Sequence, residues 1–383
     1  MPLPIVDPSL NPTPAGLRRR SFVASALAAA PLLALPELGQ AAGETPGSVD
    51  AVPEADAAAR VPAIDWDWVD TARQRKVPVR LYWPLKAVAS TTAPVPLVVF
   101  SHGIGSSRLG YSYFGRHLAT QGWASLHVQH VGSDKGLWFG NPFSLIGRLR
   151  NAAQEAEAIQ RVRDLRFALD RLLDPALQHP LTGRPAETVD TQRIVAAGHS
   201  YGANTTLLAV GARVARGQQA YDFHDPRFRA AILMSAPPFY GERDLAGILA
   251  PVQLPTLHIT TNDDLIMIPG YRSGLEDRLA VYDAMPDPRK ALVVFDHGSH
   301  GIFTDRTVTG GYELNQQVKG ATKSLAAAFL RNQFERDEAA LPGWREHWRG
   351  IVSRSAGLLG TMTAPIPSLP AQILNAEAAQ GGA

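Results

Sequence analysis

The sequence predicts an α/β fold, a mostly parallel sheet with helices on both faces, and three observations carry that expectation. Runs such as 96–100, 230–235 and 290–295 are continuously or nearly continuously apolar, as strands buried on both faces are. Residues 96–128 read as strand, glycine-rich loop, helix and strand, and a βαβ unit implies parallel pairing. Finally, the apolar run 194–197 enters Gly198-His199-Ser200-Tyr201-Gly202 and then a helix-forming segment over 203–215. Strand, sharp turn and helix with a serine at the apex is the nucleophile-elbow pattern.

Taken in order, 64–69 and 77–83 are β-type runs joined by a polar turn, and they read as an antiparallel hairpin at a sheet edge. Val79, Leu81 and Trp83 alternate with Arg80 and Tyr82, as a half-buried strand should. A strand at 96–100 leads into Ser101-His102-Gly103-Ile104-Gly105, a helix over 111–121 ends at Gly122, and 124–128 is the next strand. Residues 132–150 lack periodicity and read as a loop or short lid. Ile159, Val162, Leu165, Leu169 and Leu172 mark one face of a helix over 151–173, stopped by Asp174-Pro175. After the elbow come strands at 230–235, 255–260 and 290–295. Leu314, Val318, Ala321, Leu325 and Phe329 mark a closing helix, and 343–355 reads as a short amphipathic one.

Composition narrows the classes of function. With 45% hydrophobic residues, 383 residues suffice for one large domain. A net charge of +2 without a basic stripe excludes a nucleic-acid reader, and the absence of cysteine excludes disulfides and a thiol nucleophile. Arg18-Arg19-Arg20-Ser21-Phe22-Val23, an alanine-rich apolar run to Leu35 and the small residues Gly39-Gln40-Ala41-Ala42 read as a bacterial export signal of the twin-arginine type. The expected partner is the twin-arginine export machinery, and the expected destination is the periplasm or the medium. The apolar run is shorter than the roughly 20 residues that span a bilayer. The expected divisions are a signal over 1–42, a linker over 43–60, one catalytic domain over 61–355 and a poorly ordered tail over 356–383.

A serine hydroxyl is a weak nucleophile until a base takes its proton, so Ser200 needs a histidine, an acid to orient it, and donors for the oxyanion. After Ser200, acids stand at a strand end in Asn262-Asp263-Asp264, and bases in His297-Gly298-Ser299-His300-Gly301. Both groups follow strands at their carboxyl ends, where sites in open α/β sheets lie. His300, flanked by a Gly-Ser turn and Gly301, is the preferred base. Asp263 is the preferred acid, with Asp264 capping the loop or helix that follows. The N–H groups of Ile104 and Tyr201 are the expected oxyanion donors, and His102 is expected to brace the first of these loops. Tyr111, Trp138, Phe139 and Phe143 are candidate walls of an acyl or alcohol pocket. His127 and His130 do not read as a metal pair, since three residues along a strand they face opposite sides.

At 97–105, 198–202, 262–263 and 298–300 the chain resembles the α/β-hydrolase superfamily. Within it the resemblance is to bacterial proteins similar to platelet-activating-factor acetylhydrolase, a group also labelled predicted dienelactone hydrolases. Bacterial polyester hydrolases and cutinases are more distant. The stretch Arg75-Lys76-Val77-Pro78-Val79-Arg80-Leu81-Tyr82-Trp83-Pro84 also resembles that group's opening hairpin. The resemblance covers about 64–334. It implies serine esterase chemistry on a mostly parallel eight-stranded sheet, with no cofactor and a small or lipid-like ester as substrate. By position it implies Ser200 as nucleophile, Asp263 as acid, His300 as base, and Ile104 with Tyr201 as oxyanion donors. Dienelactone hydrolases proper use a cysteine, which this chain lacks, and polyester hydrolases carry an aromatic residue where Ile104 stands. Two rival readings keep the fold: a peptidase or amidase, against which the absence of a propeller-type repeat counts, and a non-catalytic binding protein, which would show a degraded triad.

Overall fold

Alternating side chains along the central strands feed two cores on opposite faces of one sheet. In the computed structural model, which describes residues 54–85, 93–177, 189–216, 219–268 and 271–363, the chain begins with a short helix α1 (Glu54–Ala59) and a hairpin, β1 (Ala63–Asp70) and β2 (Arg75–Tyr82). Then come β3 (Val95–Ser101), α2 (Ser112–Thr120) and β4 (Ala124–Val128). Two 3-10 turns, Lys135–Trp138 and Pro142–Ser144, lead to α3 (Leu145–Ala152) and α4 (Glu155–Leu172). The elbow is β5 (Val189–His199) and α5 (Tyr201–Ala209), followed by a small hairpin, β6 (Val214–Arg216) and β7 (Gln219–Tyr221). Next are β8 (Phe228–Met234), α6 (Leu245–Leu249), β9 (Thr256–Thr261), a second small hairpin of β10 (Ile266–Ile268) and β11 (Tyr271–Ser273), α7 (Leu275–Asp283) and β12 (Lys290–Phe295). The chain closes with α8 (Tyr312–Glu335), α9 (Ala340–Trp348), β13 (Val352–Gly357) and β14 (Met362–Thr363).

The main sheet runs β1-β2-β4-β3-β5-β8-β9-β12-β13-β14. Pairings from β4 through β12 are parallel, and antiparallel strands flank them on both sides. Leu97 and Val99 pack on one face with Val162, Leu165 and Leu207, while Val98 and Phe100 pack on the other with Phe114, Val318 and Phe329. Each fully buried side chain of this size contributes about 1.5–3 kcal/mol. The strands β3, β5, β8, β9 and β12 end together, so the loops leaving Ser101, His199, Thr261 and Phe295 share one rim.

Several expectations change. The sheet has ten strands rather than eight, because β13 and β14 extend the far edge beyond β12. These two occupy residues expected as the end of a helix and the start of a tail. Only Val352 and Ser355 of β13 are buried, so this strand, second from the edge, lacks the apolar alternation that marks a strand. The aperiodic stretch 132–150 holds two 3-10 turns and most of α3. The long helix expected from 151 begins only at Glu155, after Ala153 and Gln154 break it from α3. The elbow helix stops at Ala209, and a hairpin follows. The hairpin β10–β11 and α7 were not foreseen. The expected signal over 1–42 lies outside the described residues, as does the linker up to 53, while α1 occupies its end. Among the described residues no helix is long and apolar enough to cross a membrane.

Candidate active site

Gly198 and Gly202 let strand and helix approach closely enough to force Ser200 outward. A Cβ on Gly202 would overlap the Ser101 carbonyl, and one on Gly198 would overlap the Gly202 backbone. Ser200 sits between them at φ 55°, ψ −122°, a conformation that residues with a Cβ rarely adopt. Its N–H donates to the Met234 carbonyl at 2.9 Å, which ties the apex to the end of β8.

Asp264 and His300 reach this apex from the loops that follow β9 and β12. His300 Nε2 lies 2.7 Å from Ser200 Oγ, and His300 Nδ1 lies 2.7 Å from Asp264 Oδ1. This arrangement selects Asp264, which corrects the expectation for Asp263. The Asp264 side chain is 0% exposed, whereas that of Asp263 is 59% exposed and lies 3.3 Å from His297 Nδ1. Asp263 also accepts from the Gly298 N–H at 3.2 Å, so it braces the base loop from outside. Thr260 Oγ1 donates to Asp264 Oδ2 at 2.7 Å, and Arg278 Nε reaches the same oxygen at 3.3 Å. Burial works to raise the Asp264 carboxyl, but the charges of His300 and Arg278 and the hydrogen bonds overcome it and hold the group far below the usual carboxylate range. An ionised carboxylate here fixes the proton on His300 Nδ1 and leaves Nε2 as the acceptor facing Ser200.

The loop after β3 supplies the other wall. Ile104 N–H has no hydrogen-bond partner among the described residues, and Tyr201 N–H is the first amide of α5, one that intrahelical bonding leaves open. His102 braces this loop as expected. Its Nδ1 faces the Gly103 carbonyl at 2.7 Å and therefore donates, while its Nε2 accepts from His130 N–H at 3.1 Å. The peptide whose carbonyl His102 holds is the one whose N–H belongs to Ile104, and in a trans peptide the two point opposite ways. Beneath the loop, buried Arg161 donates to Ser101 Oγ at 3.2 Å, Ser133 Oγ at 2.8 Å, Thr205 Oγ1 at 3.0 Å and the His102 carbonyl, and its guanidinium lies 4.5 Å from the Tyr201 ring centre.

The aromatic residues part company. Tyr111 is 1% exposed, with its hydroxyl committed to Gly103 N–H and His199 Nδ1, so it is a brace and not a pocket wall. Trp138 stands at the surface, its Nε1–H donating to the Gly105 carbonyl at 2.7 Å beside the Ile104 loop. Phe139 and Phe143 are largely exposed. His127 bonds Ser125 and the Gly110 carbonyl while His130 bonds Ser101 and Asp164, and no metal-binding cluster of three or more His, Asp or Glu groups occurs among the described residues. Arg161, His199 and Arg278 carry parts of the site that the sequence reading passed over. Arg161 and Asp164 were signalled only as polar residues three apart within the buried stripe of α4.

The strand order and the elbow define the class of fold: the chain has an α/β-hydrolase fold. Within that class the chain is similar to platelet-activating factor acetylhydrolases. The sequence profile of the family platelet-activating factor acetylhydrolase, isoform II, matches residues 70–135. The platelet-activating factor acetylhydrolase of Canis lupus familiaris is 29% identical over 270 residues, covering 62% of this chain and 55% of that protein. The Cavia porcellus enzyme of the same name is 22% identical over 282 residues, 67% of this chain and 59% of its own. The chain thus spans less than two thirds of the length of these relatives. Among solved structures, a ferulic acid esterase from Streptomyces cinnamoneus is 20% identical, with a TM-score of 0.47 over 81% of this chain and 94% of that one.

Proposed function

We propose that this protein hydrolyses carboxylic esters through an acyl-enzyme on Ser200. The observation that carries the reading is the unbroken line from Ser200 Oγ through His300 to Asp264, each link 2.7 Å. His300 Nε2 takes the hydroxyl proton as Ser200 Oγ attacks the ester carbonyl. The carbonyl oxygen becomes an oxyanion and accepts from Ile104 N–H and Tyr201 N–H, each worth about 3 kcal/mol in the transition state. The tetrahedral centre collapses, the ester C–O bond breaks, and His300 gives its proton to the leaving alcohol. Water then repeats the sequence, with His300 as base, to release the acid and restore Ser200. Asp264 stays ionised throughout and stabilises the imidazolium.

Similarity to acetylhydrolases favours a lipid-like ester with a short acyl chain, and the contact of Trp138 with the Gly105 carbonyl supports a role for its ring beside the bound ester. The amino-terminal Arg19-Arg20-Ser21-Phe22-Val23 pattern supports export of the folded protein by the twin-arginine machinery. Steady-state hydrolysis of p-nitrophenyl acetate tests the chemistry. Ser200→Ala is expected to lower kcat on the order of 10⁶-fold while the protein stays folded. Retained turnover in that variant would sink the assignment.

A further inference from the structure

One buried hydrogen-bond chain crosses behind the site and uses no member of the line from Ser200 to Asp264 as a side chain. Gly103 N–H faces Tyr111 Oη at 3.2 Å, Tyr111 Oη lies 2.9 Å from His199 Nδ1, and His199 Nε2 lies 3.0 Å from the His300 carbonyl. The two ends have fixed sense, because an amide only donates and a carbonyl only accepts. His199 Nε2 therefore carries the ring proton, Nδ1 accepts from the Tyr111 hydroxyl, and the tyrosine oxygen accepts from Gly103. A proton on both His199 nitrogens would turn the tyrosine hydrogen away from His199, toward the neighbouring Ser106 hydroxyl, and reverse that link of the chain.

We propose that Tyr111 and His199 are positioning residues for ester hydrolysis, a one-directional chain that holds the oxyanion loop and the base loop at a fixed separation across the elbow. The proposal rests on the ester-hydrolase reading above. Three further observations support it. Tyr111 is held at φ 60°, ψ 32°, a left-handed conformation costly for a bulky residue, and its ring is packed 4.7 Å from Phe100 and 5.5 Å from His199. A Cβ on Gly103 would press on His199 Nδ1 at 3.1 Å and Tyr111 Oη at 3.2 Å, so the loop leaves room for little more than the chain itself. Burial, with the nearby charge of His300 second, depresses His199 to about 3, which keeps it neutral beside a base that must accept a proton. The chain thus spans from the residue before the Ile104 donor to the backbone of the base. A displacement of about 1 Å between groups that act together costs on the order of 100-fold in rate.

The test is kcat for p-nitrophenyl acetate counted per serine titrated by a fluorophosphonate, so that a folding loss lowers the titre and not the kcat. Tyr111→Phe and His199→Leu are each expected to lower that kcat about 10–100-fold, with KM changed less than about threefold. The double variant is expected within about threefold of the worse single one, because both cut the same chain. His199→Gln offers one donor and one acceptor and is expected to regain at least about fivefold over His199→Leu. Should Tyr111→Phe fail to fold, the His199→Gln and His199→Leu pair carries the same comparison. With an active parent, a Tyr111→Phe kcat within about twofold of it, multiplicative losses, or a glutamine variant no better than leucine overturns the proposal alone. A parent that neither titrates nor turns over overturns the ester-hydrolase reading and this chain's role with it.

Discussion

Asp264, fully buried, meets His300 at 2.7 Å, while Asp263, one residue earlier, turns outward to His297 at 3.3 Å. Adjacent carboxylates thus receive opposite environments, and only one can orient the base. Asp264→Asn is expected to lower kcat for p-nitrophenyl acetate on the order of 10⁴-fold, since the amide favours the wrong imidazole tautomer. Asp263→Asn is expected to stay within about threefold, because it removes only an exposed brace. Kinetics of the two purified variants decide, and the reverse ranking would return the acid's role to Asp263.

The apex of the elbow stores strain. Ser200 holds φ at 55° with a Cβ attached, a cost of order 1–3 kcal/mol that a glycine would not bear. Both Ser200→Ala and Ser200→Gly remove the hydroxyl, so their stabilities compare without concern for activity. Ser200→Gly is expected to be more stable than Ser200→Ala by about 1 kcal/mol, the relief of strain exceeding glycine's extra entropy in the unfolded chain. Urea midpoints at equal slope measure this, and an alanine variant at least as stable would show that no strain is held there.

Close approach at the elbow makes a second stability claim. Gly202→Ala would drive a methyl group into the Ser101 carbonyl, which is backbone and cannot rotate away. A loss of about 3 kcal/mol or more is expected. Gly147 in α3 meets nothing within 4 Å, so Gly147→Ala is expected to gain about 0.5–1 kcal/mol from helix propensity. Thermal melts of the two variants should move in opposite directions.

Acid should unfold this protein early. His127, His199 and His258 are each depressed by burial to about 3, and burial with the Arg161 charge holds His102 and His130 well below their ordinary value of 6.5. In the unfolded chain all five take up protons below pH 6.5, while in the folded protein His127, His199 and His258 do not until pH nears 3, and His102 and His130 are held neutral well below 6.5. The unfolded state binds more protons in this window, so stability falls as pH drops from about 6.5 toward 3, by about 1.4 kcal/mol per pH unit for each histidine. Asp264, whose folded value is lowered, adds a loss in the same direction below the ordinary carboxylate range. Replacing His258, whose ring bonds Thr256, meets the Tyr282 ring edge-on and feels the Lys290 charge, with Gln is expected to shrink the stability difference between pH 7 and 5.5 by about 1 kcal/mol. An unchanged difference would mean that His258 titrates while folded.

What was legible in the sequence was what short stretches of chain decide. Gly198, Ser200 and Gly202 announce the elbow because the sterics of that turn are local. Most central strands announce themselves because burial on both faces makes their sequences mostly apolar. His300 was legible from its turn and its place after a strand. The choice between Asp263 and Asp264 was not, because it depends on Arg278, which arrives from α7, an element the sequence did not mark. Tyr111 read as a pocket aromatic because its partner His199 is 88 residues away. The strand β13 was hidden by its composition, Val-Ser-Arg-Ser-Ala-Gly, in which pairing with β12 and not apolar alternation makes the strand.

The central claim is that Ser200 is a nucleophile activated by His300. Intact-protein and peptide mass spectrometry after incubation with a fluorophosphonate tests it most directly. A single adduct on the peptide bearing Ser200, lost in Ser200→Ala and slowed on the order of 10³-fold or more in His300→Ala, is the expected result. Folded protein that takes up no label, or takes it up at another residue, would contradict the account.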